Sequence, residues 1–236
     1  MYYYGYDWTY IVMVLPFVIL SLIASYNVKS TFNKYSKERS HRGLTGAQAA
    51  ARVLQANGVS NVRIERISGQ LTDHFDPKAN VIRLSDDVYN NNSVAAIGVA
   101  CHEAGHAVQY AVGYGPIQLR AAIIPITNIG SKLAMPLILI GLLLEFFAEV
   151  PNIFVMLGVI CFSLSVVFQF VTLPVEFNAS RRAINAISDS NILTDEEIRG
   201  AKKTLTAAAM TYVAATAVAL MQLLRLVMLF GRRRRD

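Results

Sequence analysis

The sequence predicts a mainly α-helical integral membrane protein that carries a small α+β domain, and three observations predict it. Hydrophobic residues make up 54% of the chain and charged residues only 16%. With a mean hydropathy of +0.39, that balance excludes an ordinary soluble enzyme. Apolar runs of membrane-spanning character recur at Tyr10–Tyr26, Leu133–Phe147, Ile153–Val175 and in the segment that ends at Phe230. Between the first two runs lie short segments of alternating polarity and a helical stretch containing His102-Glu-Ala-Gly-His106.

In the first run, Pro16 is the one breaker. Asp7 precedes it with no base, whereas Lys29, Lys34, Lys37, Arg39 and Arg42 follow. A secretory signal carries its positive charge first, so this segment reads as an uncleaved anchor with the N-terminus outside. Tyr2, Tyr3, Tyr4, Tyr6, Trp8 and Tyr10 fit an interfacial aromatic belt.

Beyond the basic linker, Thr45-Gly-Ala-Gln48 is a capping box that opens a helix over Gly46–Asn57, and Gly58 stops it. Val62–Ile67 alternates with period two and reads as a strand, with a turn at Gly69. Asp73-His-Phe-Asp-Pro77 reads as a second turn and Asn80–Leu84 as a second strand. Asp86 and Asp87 are expected in a loop. An edge strand here would suit an extended peptide added as a further strand.

Asn91-Asn-Ser93 offers an N-cap for a helix from Val94 to Val112, ended by Gly113 and Gly115-Pro116. Four residues apart on a helix, His102 and His106 share one face, and two neutral imidazoles so placed can bind one zinc ion. Glu103 lies about 100° further round, within reach of a water held at the metal without being a ligand. Solvated surface histidines fit poorly, because the neighbours are Val, Ala, Cys and Gly. Gln109 shares the histidine face one turn on, where it either touches substrate or caps the buried face.

Pro125 and Lys132 suggest an interfacial stretch before Leu133–Phe147. Glu145, Glu149, Pro151 and Asn152 then form a tight connection to Ile153–Val175. The two runs make a transmembrane hairpin that returns the chain to the side it left. Just after it stands Glu176-Phe-Asn-Ala-Ser180-Arg181-Arg182. A glutamate on a helix start at that point can complete a His₂Glu site with one position open. Thr194-Asp-Glu-Glu197 is another capping box, opening a helix from Asp195 to Phe230. Thr204, Thr211, Gln222 and Arg225 form a polar stripe along it, so it is expected to pack on the domain or the bundle. The tail Arg232–Arg235 conflicts with a fourth crossing, which would carry these bases outside.

The net charge is +6, but the bases cluster beside apolar runs and do not interleave with aromatics. That favours a bilayer of anionic lipid over nucleic acid. Cys101 and Cys161 both stand in apolar helical stretches, which argues against a disulfide framework. Cys101 points away from His102 and reads as a small core residue.

Together, Asp76-Pro…Asn80-Val-Ile-Arg-Leu-Ser85, His102-Glu-Ala-Gly-His106 and Glu176-Phe-Asn-Ala-Ser180-Arg-Arg-Ala183 resemble the YugP-like neutral zinc metallopeptidases of bacterial membranes. The resemblance covers nearly the whole chain and extends distantly to the HtpX-like and CAAX-prenyl-processing peptidases. It implies a zincin-like (gluzincin) catalytic domain with His102, His106 and Glu176 as ligands of one zinc ion and Glu103 as general base. It also implies a protein or peptide substrate and a catalytic domain on the cytoplasmic side of the bacterial inner membrane. Ser180 stands where the wider pattern has an aspartate, and can still hydrogen-bond a ligand histidine. For the oxyanion donor, His74, Arg181, Arg182 and Tyr212 are candidates; His74 reads first as a turn residue bonded to backbone.

On this reading residues 1–28 are an anchor, 29–120 the peptidase domain and 121–175 the hairpin. Residues 176–236 supply the third-ligand helix, the long apolar helix and the tail. The alternatives are a site-2-type intramembrane protease and a non-enzymatic zinc-stabilised scaffold for a membrane complex. The first needs an aspartate that the apolar runs lack, and the second does not need Glu103.

Overall fold

The computed structural model describes residues 8–148 and 153–231. Tyr2, Tyr3, Tyr4 and Tyr6 of the aromatic belt, Glu149–Asn152 of the connection and the Arg232–Arg235 tail lie outside the described residues. The chain is mainly helical, with helices α1 Trp8–Met13, α2 Leu15–Tyr35 and α3 Gly46–Ala56. Strands β1 Arg63–Ile67, β2 His74–Asp76 and β3 Val81–Ser85 follow. Then come α4 Asp86–Tyr89, α5 Val94–Ala111, α6 Gly115–Ala148, α7 Ile153–Asp189 and α8 Asp195–Gly231. Four of these helices, α2, α6, α7 and α8, are long and apolar enough to cross a membrane.

Local chemistry accounts for several boundaries. Thr45 and Gln48 form the capping box at α3 in both directions, and Gly58 takes a left-handed φ of +68° just past its end. Glu197 Oε2 accepts from the Thr194 backbone N–H at 2.8 Å, closing the box at α8. Ser93 Oγ accepts from the Ala96 backbone N–H and caps α5.

Several elements differ from the sequence expectation. The Asp73–Pro77 turn contains strand β2, because Asp76 Oδ1 accepts from the N–H groups of Lys78 and Ala79 and folds the chain back onto β3. Asp86 and Asp87 open α4 rather than standing in a loop. The stretch before Leu133 is not separate from the span that follows. α6 runs unbroken through Pro125 and Pro136, as neighbouring membrane helices permit. For the same reason α7 continues through Pro174, so Glu176 lies inside a helix and not at the start of one.

The sheet order is β1-β3-β2. β1 pairs parallel with β3, placing Arg63 beside Val81 and Ile67 beside Ser85. β2 pairs antiparallel on the other side, placing His74 beside Arg83. The central strand is therefore the one that buries Val81, Ile82 and Leu84.

The chain divides into two compact units. One comprises Ala24–Gln118 and Leu173–Thr211. Its core gathers Phe32 and Tyr35 of α2, Val53 and Leu54 of α3, Ile82 and Leu84 of β3, Ile187 of α7 and Leu205 of α8. α5 is buried among them along most of its length. Its Ala and Gly residues let neighbours approach closely: a Cβ placed on Gly105 would lie 2.7 Å from the Ala179 carbonyl oxygen of α7. On Gly98 it would lie 3.4 Å from Ala201 Cβ of α8.

The second unit comprises Met1–Ile23, Leu119–Thr172 and Tyr212–Asp236. Here α6 and α7 pack through glycines, since a Cβ on Gly158 would meet the Ala134 carbonyl oxygen at 2.8 Å. Small residues at such crossings suit helices in lipid. Outward-facing Phe146, Leu139 and Ile160 are exposed, as a lipid-facing surface requires. Arg225, the base in the polar stripe, lies over the Tyr10 ring at 5.5 Å. The stripe thus turns partly into the bundle.

Candidate metal centre

α5 and α7 bring three potential ligands together. The side-chain donors of His102, His106 and Glu176 lie within 4.8 Å of one another. His102 Nε2 is 3.3 Å from Glu176 Oε2, and His106 Nε2 is 3.5 Å from the same oxygen. For bonds of the usual zinc length, neighbouring ligands of a tetrahedral ion stand about 3.3–3.4 Å apart. Those separations and two imidazoles with one carboxylate fit such an ion.

Each ring is also held by its other nitrogen. His106 Nδ1 lies 3.0 Å from Gln109 Oε1, and His102 Nδ1 lies 3.2 Å from Ser180 Oγ. Donation from Nδ1 leaves Nε2 as the lone-pair nitrogen that a metal needs. Gln109 is fully buried and spends its amide nitrogen on the Val175 carbonyl at 2.9 Å and on Asn178 Oδ1 at 3.0 Å. Arg182 Nε in turn donates to Asn178 Oδ1 at 2.8 Å.

The electrostatics favour positive charge here. Burial works against the imidazolium of His106. The hydrogen bond to Glu176 and the charges of Glu103 and Glu176 outweigh it and raise the pKa above the ordinary imidazole value. Burial raises the carboxyl pKa of Asp73, and the nearby charge of Glu103 adds to the shift. Glu103 is itself buried at 8% exposure and is not one of the three clustered donors.

A family model described as "Putative neutral zinc metallopeptidase" matches residues 10–231. The chain belongs to this family. It is also 46% identical over 221 residues to the "Putative membrane protease YugP" of Bacillus subtilis (strain 168), covering 94% of this chain and 96% of that relative. No solved structure matches. Family membership makes this a zinc-metallopeptidase-type membrane protein, consistent with its four apolar helices.

The other residues marked in the sequence are placed differently. His74 sits on β2, with Nδ1 donating to the Thr72 carbonyl at 2.8 Å and Nε2 3.5 Å from Arg83 Nη1. It is a backbone-bonded residue of the sheet. Arg181 is exposed on α7, while Arg182 is tied to Asn178. Tyr212 belongs to the other unit. Cys101 is fully buried beside the site, and burial pushes its thiol pKa up, which suits a core residue. Sequence reasoning missed Asn178, whose one available signal is its i, i+4 spacing to Arg182 on a helix. It also missed Asp73, which holds the Ser85 backbone N–H at 2.8 Å.

Proposed function

We propose that this chain is a membrane-bound zinc endopeptidase of gluzincin type, with one zinc ion held by His102, His106 and Glu176. The observation that supports this reading best is the convergence of two Nε2 atoms on Glu176 Oε2, with both Nδ1 atoms held by protein groups. Zinc bound there would supply Lewis-acid chemistry, acidifying a water and polarising a carbonyl.

The protein's own residues do the rest. Glu103, next to His102 on the buried face, accepts a proton from the attacking water and passes it to the leaving amine nitrogen. Ser180 and Gln109 keep the imidazoles in the required orientation. Strand β2 packs along α5, with the Phe75 ring 5.6 Å from that of Tyr110. Its outer edge suits a substrate backbone laid down as an added strand. The bases from Lys29 to Arg42, together with Arg181 and Arg182, support a cytoplasmic side for this unit. α5 is not among the four helices apolar and long enough to span, which favours this reading over cleavage within the bilayer.

The test compares peptides released in membranes containing wild-type protein with those containing Glu103→Gln. Cleavages present only with wild type are expected. An identical peptide set from both would overturn the assignment.

A further inference from the structure

We infer that the groove between the end of α2 and the first half of α8 binds the phosphate-bearing headgroup of an anionic phospholipid. α2 and α8 meet where a Cβ on Gly200 would lie 2.7 Å from the Tyr35 ring. Beside that crossing a cleft of about 550 Å³ opens, within the size range of small-ligand sites. Ser30, Thr31 and Lys34 line it from α2, and Arg199, Lys202 and Lys203 from α8. An adjoining hollow shares Ser30 and Lys34 and adds Lys29 and Lys37. No carboxylate lines either one.

The charge pattern calls for an anion. Lys34, Arg199, Lys202 and Lys203 make no salt bridge among the described residues. All four are exposed. Like charges gathered in one cleft repel one another, and a bound phosphate removes that cost while its oxygens accept from ammonium, guanidinium and hydroxyl donors.

The position selects a lipid over a free anion. The apolar run of α2 ends at Tyr26, where the lining residues begin, and the apolar part of α8 begins at Ala207, where they end. Both helices are candidate spans. The cleft therefore lies at headgroup depth on both helices, where acyl chains can follow the apolar surfaces. It shares no residue with the metal centre, so the inference stands apart from the peptidase reading.

The test uses full-length protein in a neutral detergent and native mass spectrometry, with dioleoyl phosphatidylglycerol as the probe. Lys202→Gln/Lys203→Gln is compared with Arg52→Gln/Lys78→Gln, which makes the same charge change at exposed positions outside the cleft. The expected result is one tightly retained phosphatidylglycerol in wild type and in the control pair. Retention should be roughly 30-fold weaker in the cleft pair. Dioleoyl phosphatidylcholine should not be retained, and millimolar inorganic phosphate should not displace the anionic lipid. Equal weakening in both pairs would reduce the effect to net charge and overturn the site. Displacement by millimolar inorganic phosphate would show a free-anion site and overturn the lipid assignment.

Discussion

Gln109 clamps His106 from within α5: its amide oxygen lies 3.0 Å from Nδ1, while its amide nitrogen donates to the Val175 carbonyl of α7. One buried side chain thus ties the His106 imidazole to the helix that carries Glu176. Replacing it with leucine leaves both the ring nitrogen and the carbonyl without this partner in a buried place. Gln109→Leu should weaken zinc binding by about 10- to 100-fold. Competition against a chromophoric chelator would measure it, and unchanged affinity would remove Gln109 from the account.

Ser180 does the same for His102 with a single hydroxyl at 3.2 Å. Ser180→Ala should lower zinc affinity by less than Gln109→Leu, because it removes one bond between α5 and α7 whereas Gln109→Leu also removes those to Val175 and Asn178. Ser180→Asp should keep zinc bound and tighten it, since a carboxylate is the stronger acceptor for an imidazole N–H. Loss of zinc in the aspartate variant would contradict the second-helix geometry.

How much of this is legible in the sequence follows from distance along the chain. Thr45 with Gln48 and Thr194 with Glu197 are three residues apart, so their capping boxes are readable directly. His102 and His106 share a face by helical period alone. Glu176 is readable as the partner of a hairpin's end, but its helix start is not, because Pro174 suggests a break that membrane helices tolerate. β2 is hidden by Asp76-Pro77, whose turn chemistry is real and whose strand is three residues long. The parallel pairing of β1 with β3 leaves no local mark at all. Asn178 shows only its spacing to Arg182, since its other partner, Gln109, comes from another helix.

Gly105, between the two histidines, is fixed by close approach. A Cβ there would sit 2.7 Å from the Ala179 carbonyl oxygen and 3.4 Å from its Cα, and backbone atoms cannot turn aside. Gly105→Ala should destabilise this unit by about 1–3 kcal/mol and loosen zinc by moving α7. Gly115→Ala is the control, since nothing lies within 4 Å of a Cβ there. Thermal unfolding of both purified variants would separate them; equal melting temperatures would contradict the packing.

Asp76 carries a pH signature. The hydrogen bond from Arg83, at 2.8 Å, and those from the Ala79 and Lys78 backbone lower its pKa to about 2 against an ordinary 3.8. The folded pKa lies below the unfolded one, so the stabilisation is complete above the unfolded value. It is lost as pH falls from 3.8 to about 2. Asp76→Asn should therefore match wild type in its stability change above that window and show a flatter decline within it. Proteolysis of the β2–β3 hairpin at graded pH would read the difference, and parallel curves would contradict the ion pair.

Charge placement predicts the side of the membrane. Lys78 is exposed in the unit that contains the metal centre. In a Cys161→Ser background, with buried Cys101 left in place, Lys78→Cys should escape an impermeant thiol reagent on intact cells. It should label after permeabilisation. Labelling on intact cells would invert the protein.

The proposed ligand set includes Glu176 and excludes Glu103. Zinc per chain, measured on full-length Glu103→Gln and Glu176→Gln after identical dialysis against a mild chelator, tests it most directly. Glu103→Gln should keep about one zinc ion while hydrolysing nothing, and Glu176→Gln should lose its zinc. Retained zinc in Glu176→Gln, or lost zinc in Glu103→Gln, would contradict the assignment.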